Sequence, residues 1–328
     1  MRFAISCAAR HALLCIVLMT CAPGFAASAA FPTRPVRFVV PFPPGTSTDV
    51  VARLLAQRLA ESLGQQVVVD NRAGASGTIG VEIVARAAAN GYTWVLGTTS
   101  THALAPTLYA RLGYDPVKDF APVSMLGESA YGLITHPGIP ARSVREFIAY
   151  CRSKPGEVHY ASVGNASLGH LSGELFKKLA GIDMLHVAYK GSTLAMVDLL
   201  AGRIELQITT IPAALGQLKA GKLRALAVTS SQRVSALAEV PTVAESGLPG
   251  YHAALWMAVF VPRGTPAALV ARLYREIGAV MAAPGVRESL TAQAFAPQSL
   301  DPADTTRVLR EDTARWGKVI AEAGIRAQ

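Results

Sequence analysis

The sequence predicts an α/β fold arranged as two lobes with a ligand cleft between them. Short apolar, β-branched runs alternate with amphipathic stretches of helical period along most of the chain, and this alternation is typical of parallel sheets covered by helices. The length of 328 residues fits two domains. Hydrophobic residues make up 51% of the chain and charged residues 16%, which excludes the composition of a disordered protein.

The first part of the chain shows strands and helices in regular succession. The apolar run Val36–Phe42 predicts a buried strand, which the proline- and glycine-containing segment 43–49 ends. A helix follows, with Val51, Leu55 and Leu59 on one face. The elements predicted next are a strand at Val67–Asp70, a glycine-rich loop at Asn71–Gly77, a helix at Thr78–Ala88 and a strand at Thr93–Gly97.

The second part repeats this alternation. Ser143 and Glu146 have the spacing of a capping box and predict a helix that ends near Ser153. A further sheet with helices packed on it follows from the remaining pattern. Its predicted strands are Val158–Ser162, Leu185–Val187, Ile204–Ile208 and Leu223–Val228, and its predicted helices are Leu168–Leu179, Ser192–Leu200 and Pro212–Ala220.

The C-terminal part is predicted to be helical after one strand at Leu255–Val261. Thr265-Pro266 and Asp301-Pro302 each place a capping residue and a first-turn proline before a helical pattern. A crossing near Gly127–Ser129 and a return near Gly250–Leu255 would make the first lobe discontinuous. We therefore predict lobe 1 at residues 31–127 plus 255–328 and lobe 2 at residues 128–254.

The N-terminus has the features of a cleavable signal peptide, which we place at residues 1–30. Arg2 and Arg10 flank the start of the chain, the apolar run Ala12–Met19 follows, and Ala27-Ser28-Ala29 fits an A-x-A cleavage site. These features predict export to the periplasm.

Cysteine usage agrees with export. Leu18-Met19-Thr20-Cys21 resembles a lipobox, but Thr20 is a poor residue directly before the modified cysteine. Ordinary secretion is therefore preferred over anchoring at Cys21. Removal of the signal peptide leaves Cys151 as a lone cysteine in a helical pattern, and we expect it to serve packing.

The net charge of +9 raises the question of nucleic-acid binding. The basic residues are scattered, Lys177-Lys178 being the densest pair, and aromatic residues make up only 7% of the chain. No basic stripe with stacking side chains results, so no nucleic-acid partner is expected. A diffuse positive field instead favours the encounter with small anions.

The predicted strand-to-helix loops are rich in glycine and small hydroxyl residues. Ligands of parallel α/β proteins bind beyond the carboxyl ends of strands, where helix N-termini present unpaired N–H groups. The loops are therefore candidate contacts for a carboxylate, although ordinary helix capping is the preferred explanation for any one of them taken alone. The loops are 45–48, 74–78, 98–102, 164–167 and 189–192.

No arrangement for catalysis, a cofactor or a metal stands out in the sequence. The glycines from Gly74 lack the spacing of a dinucleotide loop, and Asn165–Gly169 does not match a nucleophile elbow. His102 and His170 lack metal-site spacing, and for both, as for Tyr189, packing or capping and ligand contact stay open. We expect a binding protein without cofactor or metal rather than an enzyme.

Several segments resemble the Bug-type (TctC-like) receptors of tripartite tricarboxylate transporters. They run in order across nearly all of the chain after the signal peptide. The resemblance implies a type II-like periplasmic binding protein that closes its two lobes on a ligand. The segments are Val39–Asp49, Val69–Gly77, Asn90–Thr93, Tyr114–Phe120, Tyr189–Gly191, Ala220–Val228 and Val240–Glu245.

The resemblance also implies a set of ligand contacts. Receptors of this family hold a carboxylate largely with amides, hydroxyls and bridging waters of the first-lobe loops, and the second lobe contacts the remainder of the ligand. The implied first-lobe contacts are Phe42, Thr46, Ser47, Ser76, Thr99 and Thr101, with His102 adjacent. The implied second-lobe contacts are Asn165, Ala166, Ser167, Tyr189 and Lys190.

Two positions depart from the family pattern. Thr46 stands where a second glycine is usual, which adds a side chain and restricts the backbone. Ile208-Thr209-Thr210 stands where Phe-Asp-Asn is common, so Thr209 supplies a neutral wall to the expected site. Because an ammonium group would lose a possible partner there, we hypothesise a carboxylate ligand without an amino group.

The resemblance implies a monomeric receptor that captures a di- or tricarboxylate or an aromatic acid for the permease subunits of a tripartite tricarboxylate-type transporter. A receptor that senses a carboxylate and signals to a membrane sensor kinase would need the same cleft. The sequence leaves these two partners open.

Overall fold

The computed structural model describes residues 31–326, and the predicted signal peptide and its Cys21 lie outside this range. The helices are α1 (Ser47–Leu63), α2 (Thr78–Ala85), α3 (Ala105–Leu108), α4 (Val144–Ser153), α5 (Leu168–Ala180), α6 (Ser192–Leu200), α7 (Ile211–Lys219), α8 (Ala267–Ala282), α9 (Pro284–Ala292) and α10 (Pro302–Glu322). The strands are β1 (Val36–Val40), β2 (Val67–Asn71), β3 (Thr93–Thr98), β4 (Phe120–Thr135), β5 (His159–Ser162), β6 (Leu185–Ala188), β7 (Leu206–Thr210), β8 (Arg224–Val228), β9 (Ala254–Pro262) and β10 (Phe295–Leu300).

The α/β fold predicted from the alternation is confirmed. The strands follow the spatial order β2-β1-β3-β9-β4-β7-β5-β6, and β8 and β10 also pair with β4. The outer ladders, β1 with β2 and β3, and β5 with β6 and β7, are parallel. The ladders that involve β4 or β9 are antiparallel. The sheet is therefore mixed, with parallel outer parts and an antiparallel centre.

Strand β4 is the longest strand of the described chain and was not predicted as one. Its first part pairs with β9 and β10, and its last part pairs with β7 and β8. The crossing predicted near Gly127–Ser129 therefore falls inside a continuous strand. The exact boundaries of the two lobes stay a prediction.

The C-terminal region contains a strand that the sequence analysis missed. Strand β10 pairs antiparallel with β4 between α9 and α10, so the expectation of helices alone after β9 is wrong. The segment carries a proline, Pro297, and two polar residues, Gln298 and Ser299, which hide a strand pattern. An edge position tolerates such a composition because only one side of the strand is paired.

The helix caps predicted at Ser143 and Asp301 are confirmed, whereas the cap predicted at Thr265 is wrong: Pro266 is the N-cap of α8, and the Thr265 hydroxyl donates to the Pro262 carbonyl at 2.8 Å. The Ser143 hydroxyl accepts a hydrogen bond from the Glu146 N–H, and the Glu146 carboxylate accepts one from the Arg142 N–H. The Asp301 carboxylate caps α10 by accepting from the Asp304 N–H at 2.8 Å. Within residues 31–326, no helix is long and apolar enough to cross a membrane.

The core is built from aromatic and aliphatic side chains on both faces of the sheet. Trp94, Trp256 and Trp316 are almost fully buried, as expected from their positions in strand and helix patterns. The Trp256 indole donates a hydrogen bond to the Asp312 carboxylate at 2.7 Å, which ties β9 to α10. Cys151 is buried, and burial raises the pKa of its thiol to about 12, in line with packing.

Two glycines within helices, Gly173 and Gly216, differ in the space available for a larger side chain. A Cβ at Gly173 would lie 2.1 Å from the buried Tyr160 ring, whereas a Cβ at Gly216 would meet nothing within 4 Å. We expect Gly216→Ala to stabilise the protein by about 1 kcal/mol through helix propensity. Gly173→Ala should instead cost roughly 1–3 kcal/mol, because overpacking displaces the ring. Urea unfolding of both variants tests this, and a stabilised Gly173→Ala variant would contradict the packing described here.

Candidate functional site

A cavity of about 650 Å³ lies at the ends of the strands, between loops from both parts of the sheet. Its size suits a small organic molecule. Within residues 31–326, no lining side chain is an aspartate, glutamate, lysine, arginine or histidine. The polar lining groups are Thr46, Ser47, Thr48, Ser76, Ser100, Tyr109, Ser129, Tyr131, Asn165, Ser167, Ser192, Thr209, Thr210 and Gln293.

Four helices begin at this cavity. Thr46, Ser167 and Thr210 are the N-cap residues of α1, α5 and α7, and Ser192 is the first residue of α6. The first N–H groups of a helix have no acceptor within the helix, and the helix dipole places partial positive charge there. The cavity therefore offers several N–H donors and hydroxyls to an anion without a cationic side chain.

The loop that opens α1 is held by Asp49. Its carboxylate accepts hydrogen bonds from the Gly45 N–H at 2.9 Å, from Arg53 at 2.9 Å and from Asn71 at 2.9 Å. Burial opposes the charge of Asp49, but these donors outweigh it and lower the pKa of the carboxyl. Asp49 does not line the cavity; it fixes the loop in which Thr46 and Ser47 face the ligand space.

Thr46 stands at the position where the resemblance implies a second glycine. Its backbone is extended, with φ of −72°, and its hydroxyl caps α1 by accepting from the Asp49 N–H while donating to the Pro43 carbonyl. The left-handed turn falls on Gly45 instead, at φ of +80°. The loop therefore accommodates the Thr46 side chain without backbone strain.

Ser76 reaches the cavity from a strained turn. Ala75 and Ser76 have φ of +45° and +54°, values that L-residues rarely adopt. The turn is pressed close to its neighbours, because a Cβ at Gly77 would lie 2.7 Å from the Thr101 methyl group and 3.2 Å from the Phe42 ring. Strain of this kind persists where the surroundings enforce it and is frequent at binding sites.

The loop before α5 is also strained and rests on two histidines. Ala166 has φ of +59°, and its N–H donates to His170 Nδ1 at 3.1 Å. The imidazoles of His170 and His186 are stacked, with centroids 3.7 Å apart and an angle of 5° between the planes. His186 Nε2 is 2.7 Å from the Ser162 hydroxyl, to which Ser167 donates at 3.2 Å. The histidine pair therefore supports the backbone that presents Asn165, Ala166 and Ser167.

Most of the contacts expected from the sequence come together in this cavity. The eight that line it are Phe42, Thr46, Ser47, Ser76, Asn165, Ala166, Ser167 and Thr209. They come from four separate stretches of the chain, and the fold brings them to one place.

Thr99, Thr101 and His102 do not line the cavity. All three are fully buried in a π-helical turn at Thr99–Leu104. The Thr99 hydroxyl donates to the Ala254 carbonyl and accepts from the Trp256 N–H, both at 3.0 Å, so it joins the turn to β9. His102 stacks on Phe260 at 4.2 Å, and burial lowers the pKa of its imidazole to about 3. These three side chains therefore pack inside the protein next to the site and do not face the cavity.

Tyr189 and Lys190 also lie outside the cavity lining. The Tyr189 hydroxyl donates to the Asp198 carboxylate at 2.7 Å, and burial together with this bond raises the pKa of the phenol to about 12. Lys190 is exposed to solvent. The packing role kept open for Tyr189 is the one that its bond to Asp198 supports.

Several lining residues were not expected from the sequence. Ser129 and Tyr131 lie on β4, Leu255 on β9, and Leu290, Gln293 and Phe295 come from the C-terminal region. Leu255, Leu290 and Phe295, together with the Tyr131 ring, form an apolar part of the wall beside the polar loops. The only signal that could have pointed to them is the alternation of Ser129 and Tyr131, which places both side chains on one face of a strand.

The comparisons with known proteins agree with this architecture. Protein BugT of Bordetella pertussis (strain Tohama I) is 41% identical over 295 residues, which cover 90% of this chain and 90% of that protein. The structure of R. palustris Rpa4515 with adipate has a TM-score of 0.80 at 41% identity and covers 90% of this chain and 99% of that one. MatC from Rhodopseudomonas palustris with bound malate has a TM-score of 0.75 at 34% identity and covers 88% of this chain and 100% of that one.

A family model covers most of the described chain. The model of the tripartite tricarboxylate transporter family receptor matches residues 51–325. This match includes α1 from Val51 onward, the loop at Ala166 and the C-terminal wall of the cavity. The protein therefore belongs to the tripartite tricarboxylate transporter family of receptors, which are solute-binding proteins and not enzymes.

Proposed function

We propose that the protein is a periplasmic receptor that binds a small organic carboxylate without an amino group in this cavity and delivers it to the permease subunits of a tripartite tricarboxylate-type transporter. The observation that carries the proposal is a cavity at which four helices begin and to which the described part of the chain contributes no charged side chain. N-terminal N–H groups and helix dipoles favour an anion at such a place.

The neutral walls argue against an ammonium group. A buried cation needs an anionic partner or several acceptor oxygens, and helix N-termini present donors instead. Thr209 stands where an acidic residue is common in the family, and it is buried in the cavity wall. An amino acid would therefore leave its ammonium group poorly compensated in this site.

The apolar part of the wall supports a ligand with a hydrocarbon body. Tyr131, Leu255, Leu290 and Phe295 line the cavity together, and burial of apolar ligand surface against them is favourable. Adipate and malate, named with the two related structures, are dicarboxylates. We infer a carboxylate with an aliphatic or aromatic body for this receptor.

Binding to the folded state raises the unfolding temperature. The signal-free chain, unfolded and refolded to remove carried-over ligand, is screened by thermal shift against mono-, di- and tricarboxylates, aromatic acids, amino acids and neutral sugars. We expect a saturable rise with one class of carboxylates and none with sugars. A refolded protein that responds to no carboxylate would contradict the proposal.

The charge of position 209 should decide between an acid and its amino derivative. We expect the wild-type protein to bind succinate more tightly than aspartate, and glutarate more tightly than glutamate. Thr209→Asp should weaken diacid binding at least tenfold, about 1.4 kcal/mol, because it adds a like charge, and should shift the preference towards the amino acid. Thr209→Asn is the control, because asparagine has the shape of aspartate but no charge. Calorimetric titration measures all four ligands, and a wild-type preference for the amino acids would refute the hypothesis.

The histidine pair below Ala166 makes the fold sensitive to acid. Burial lowers the pKa of His170 and lowers that of His186 to about 4, with the neighbouring His170 adding to the second shift. Unfolded histidines bind protons below about pH 6.5, whereas this pair does so only at lower pH. Its effect on stability is therefore absent above pH 6.5, and stability falls as the pH drops towards 4.

His186→Gln should flatten this fall by roughly 2–5 °C in melting temperature, because it removes one proton-binding group and the repulsion between the two rings. His136→Gln, at a half-buried histidine outside the loop, should keep the wild-type dependence. Melting of the ligand-free proteins between pH 8 and pH 4 measures the difference. Equal dependence in the wild-type and His186→Gln proteins would show that the pair does not titrate as described.

A further inference from the structure

Among the described residues that line the cavity, Ser129 has a hydroxyl that is both buried and without a hydrogen-bond partner. Ser129, on β4, is 1% exposed, and within residues 31–326 its Oγ meets no acceptor or donor. Other buried hydroxyls near the sheet are bonded: Ser124, earlier on the same strand, donates to the Leu300 carbonyl at 3.1 Å. Leaving a buried hydroxyl unpaired is unfavourable, so the position of Ser129 calls for a partner that the protein itself does not provide.

The strand register shows what surrounds this hydroxyl. Ser129 lies opposite Leu255 on β9 and opposite Phe295 on β10. Both of these residues line the cavity, as does Tyr131, two residues further along β4 on the same face. Ser129 is therefore a polar residue among apolar neighbours of the cavity wall. It lies on the sheet and not in the loops where the helices begin.

We infer that Ser129 donates a hydrogen bond to a second oxygen-bearing group of the ligand and makes the receptor select dicarboxylates over monocarboxylates of the same length. This inference rests on the proposed function, since it assigns one carboxylate to the helix N-termini. The second carboxylate then reaches a recessed donor between two apolar side chains. A methyl group at the same place would leave the hydroxyl unpaired, and sites built for a hydrogen bond reject analogues that lack it.

The alternative is that Ser129 is merely a small residue that fits between Leu255 and Phe295. Stability separates the two roles only partly. Ser129→Ala removes no internal hydrogen bond, so its melting temperature should equal or exceed that of the wild-type protein. Ser124→Ala is the matched control, with the same substitution on the same strand. It removes the hydrogen bond from the Ser124 hydroxyl to the Leu300 carbonyl and should melt at a lower temperature.

Ligand discrimination gives the decisive measurement. Four matched pairs are used, each a diacid and the monoacid of equal length: succinate and butyrate, glutarate and pentanoate, adipate and hexanoate, suberate and octanoate. Thermal shift selects the pairs that bind to the signal-free protein, and calorimetry gives the dissociation constants. In the wild-type protein, we expect at least one diacid to bind tenfold or more tightly than its monoacid.

Ser129→Ala should reduce this ratio to threefold or less by weakening the diacid while leaving the monoacid unchanged. Ser124→Ala should keep the wild-type ratio. A ratio that survives in Ser129→Ala, or a wild-type protein that binds diacid and monoacid equally, would overturn the inference while leaving carboxylate binding intact. Failure of every carboxylate in the broader screen would instead overturn the proposed function together with the inference.

Discussion

Strand β4 carries ladders to four other strands, and the geometry of the site depends on them. Its first part pairs antiparallel with β9 and β10, and its last part pairs antiparallel with β7 and β8. The loops at Thr46 and Ser76 follow strands on one side of this arrangement, whereas those at Ser167 and Thr210 follow strands on the other. Because one continuous strand is shared, the donors of both groups of loops are brought to a single cavity.

The site proposed for the anion is lined, among the described residues, by neutral groups rather than charges. Asp49, next to the lining, holds the loop that opens α1, and its carboxylate accepts hydrogen bonds from Gly45, Arg53 and Asn71. Strained backbone at Ser76 and Ala166 serves the same purpose, since it aims short polar side chains and N–H groups at the ligand space. The stability of the surrounding sheet offsets the cost of these conformations.

The sequence was enough to predict those strands and helices that have a regular apolar pattern and a capping residue or other local signal at their start. The outer strands and helices α1, α4 and α10 fall close to their predicted positions because apolar spacing and capping residues such as Ser143 and Asp301 act within a few residues. Strands β4 and β10 escaped prediction because Pro122, Gly127 and Pro297 interrupt the pattern, and bulges absorb the resulting shifts in register.

The same distinction between local and distant information applies to the site. The hydroxyl-rich loops correctly predicted that Thr46, Ser76 and Ser167 lie at the cavity. The loop at Thr99 has the same kind of sequence, but Thr99 does not line the cavity. There a π-helical turn directs the side chains inward, towards β9 and Phe260. The wall made by Leu255, Leu290 and Phe295 depends on register between segments far apart in the chain, and no short stretch of sequence contains that information.

The absence of ionised side chains from the cavity lining has a consequence for the environment in which the receptor works. Attraction between exposed charges weakens as salt screens it, whereas dipoles enclosed with their ligand are shielded from mobile ions. A receptor that relied on an accessible arginine would lose affinity whenever the surrounding fluid became more saline. Among the described residues, the lining of this cavity is neutral, and its electrostatics rest on backbone N–H groups at the starts of the helices whose N-cap residues are Thr46, Ser167 and Thr210. The affinity for an anion enclosed there should therefore depend less on salt concentration than binding to an exposed cation would.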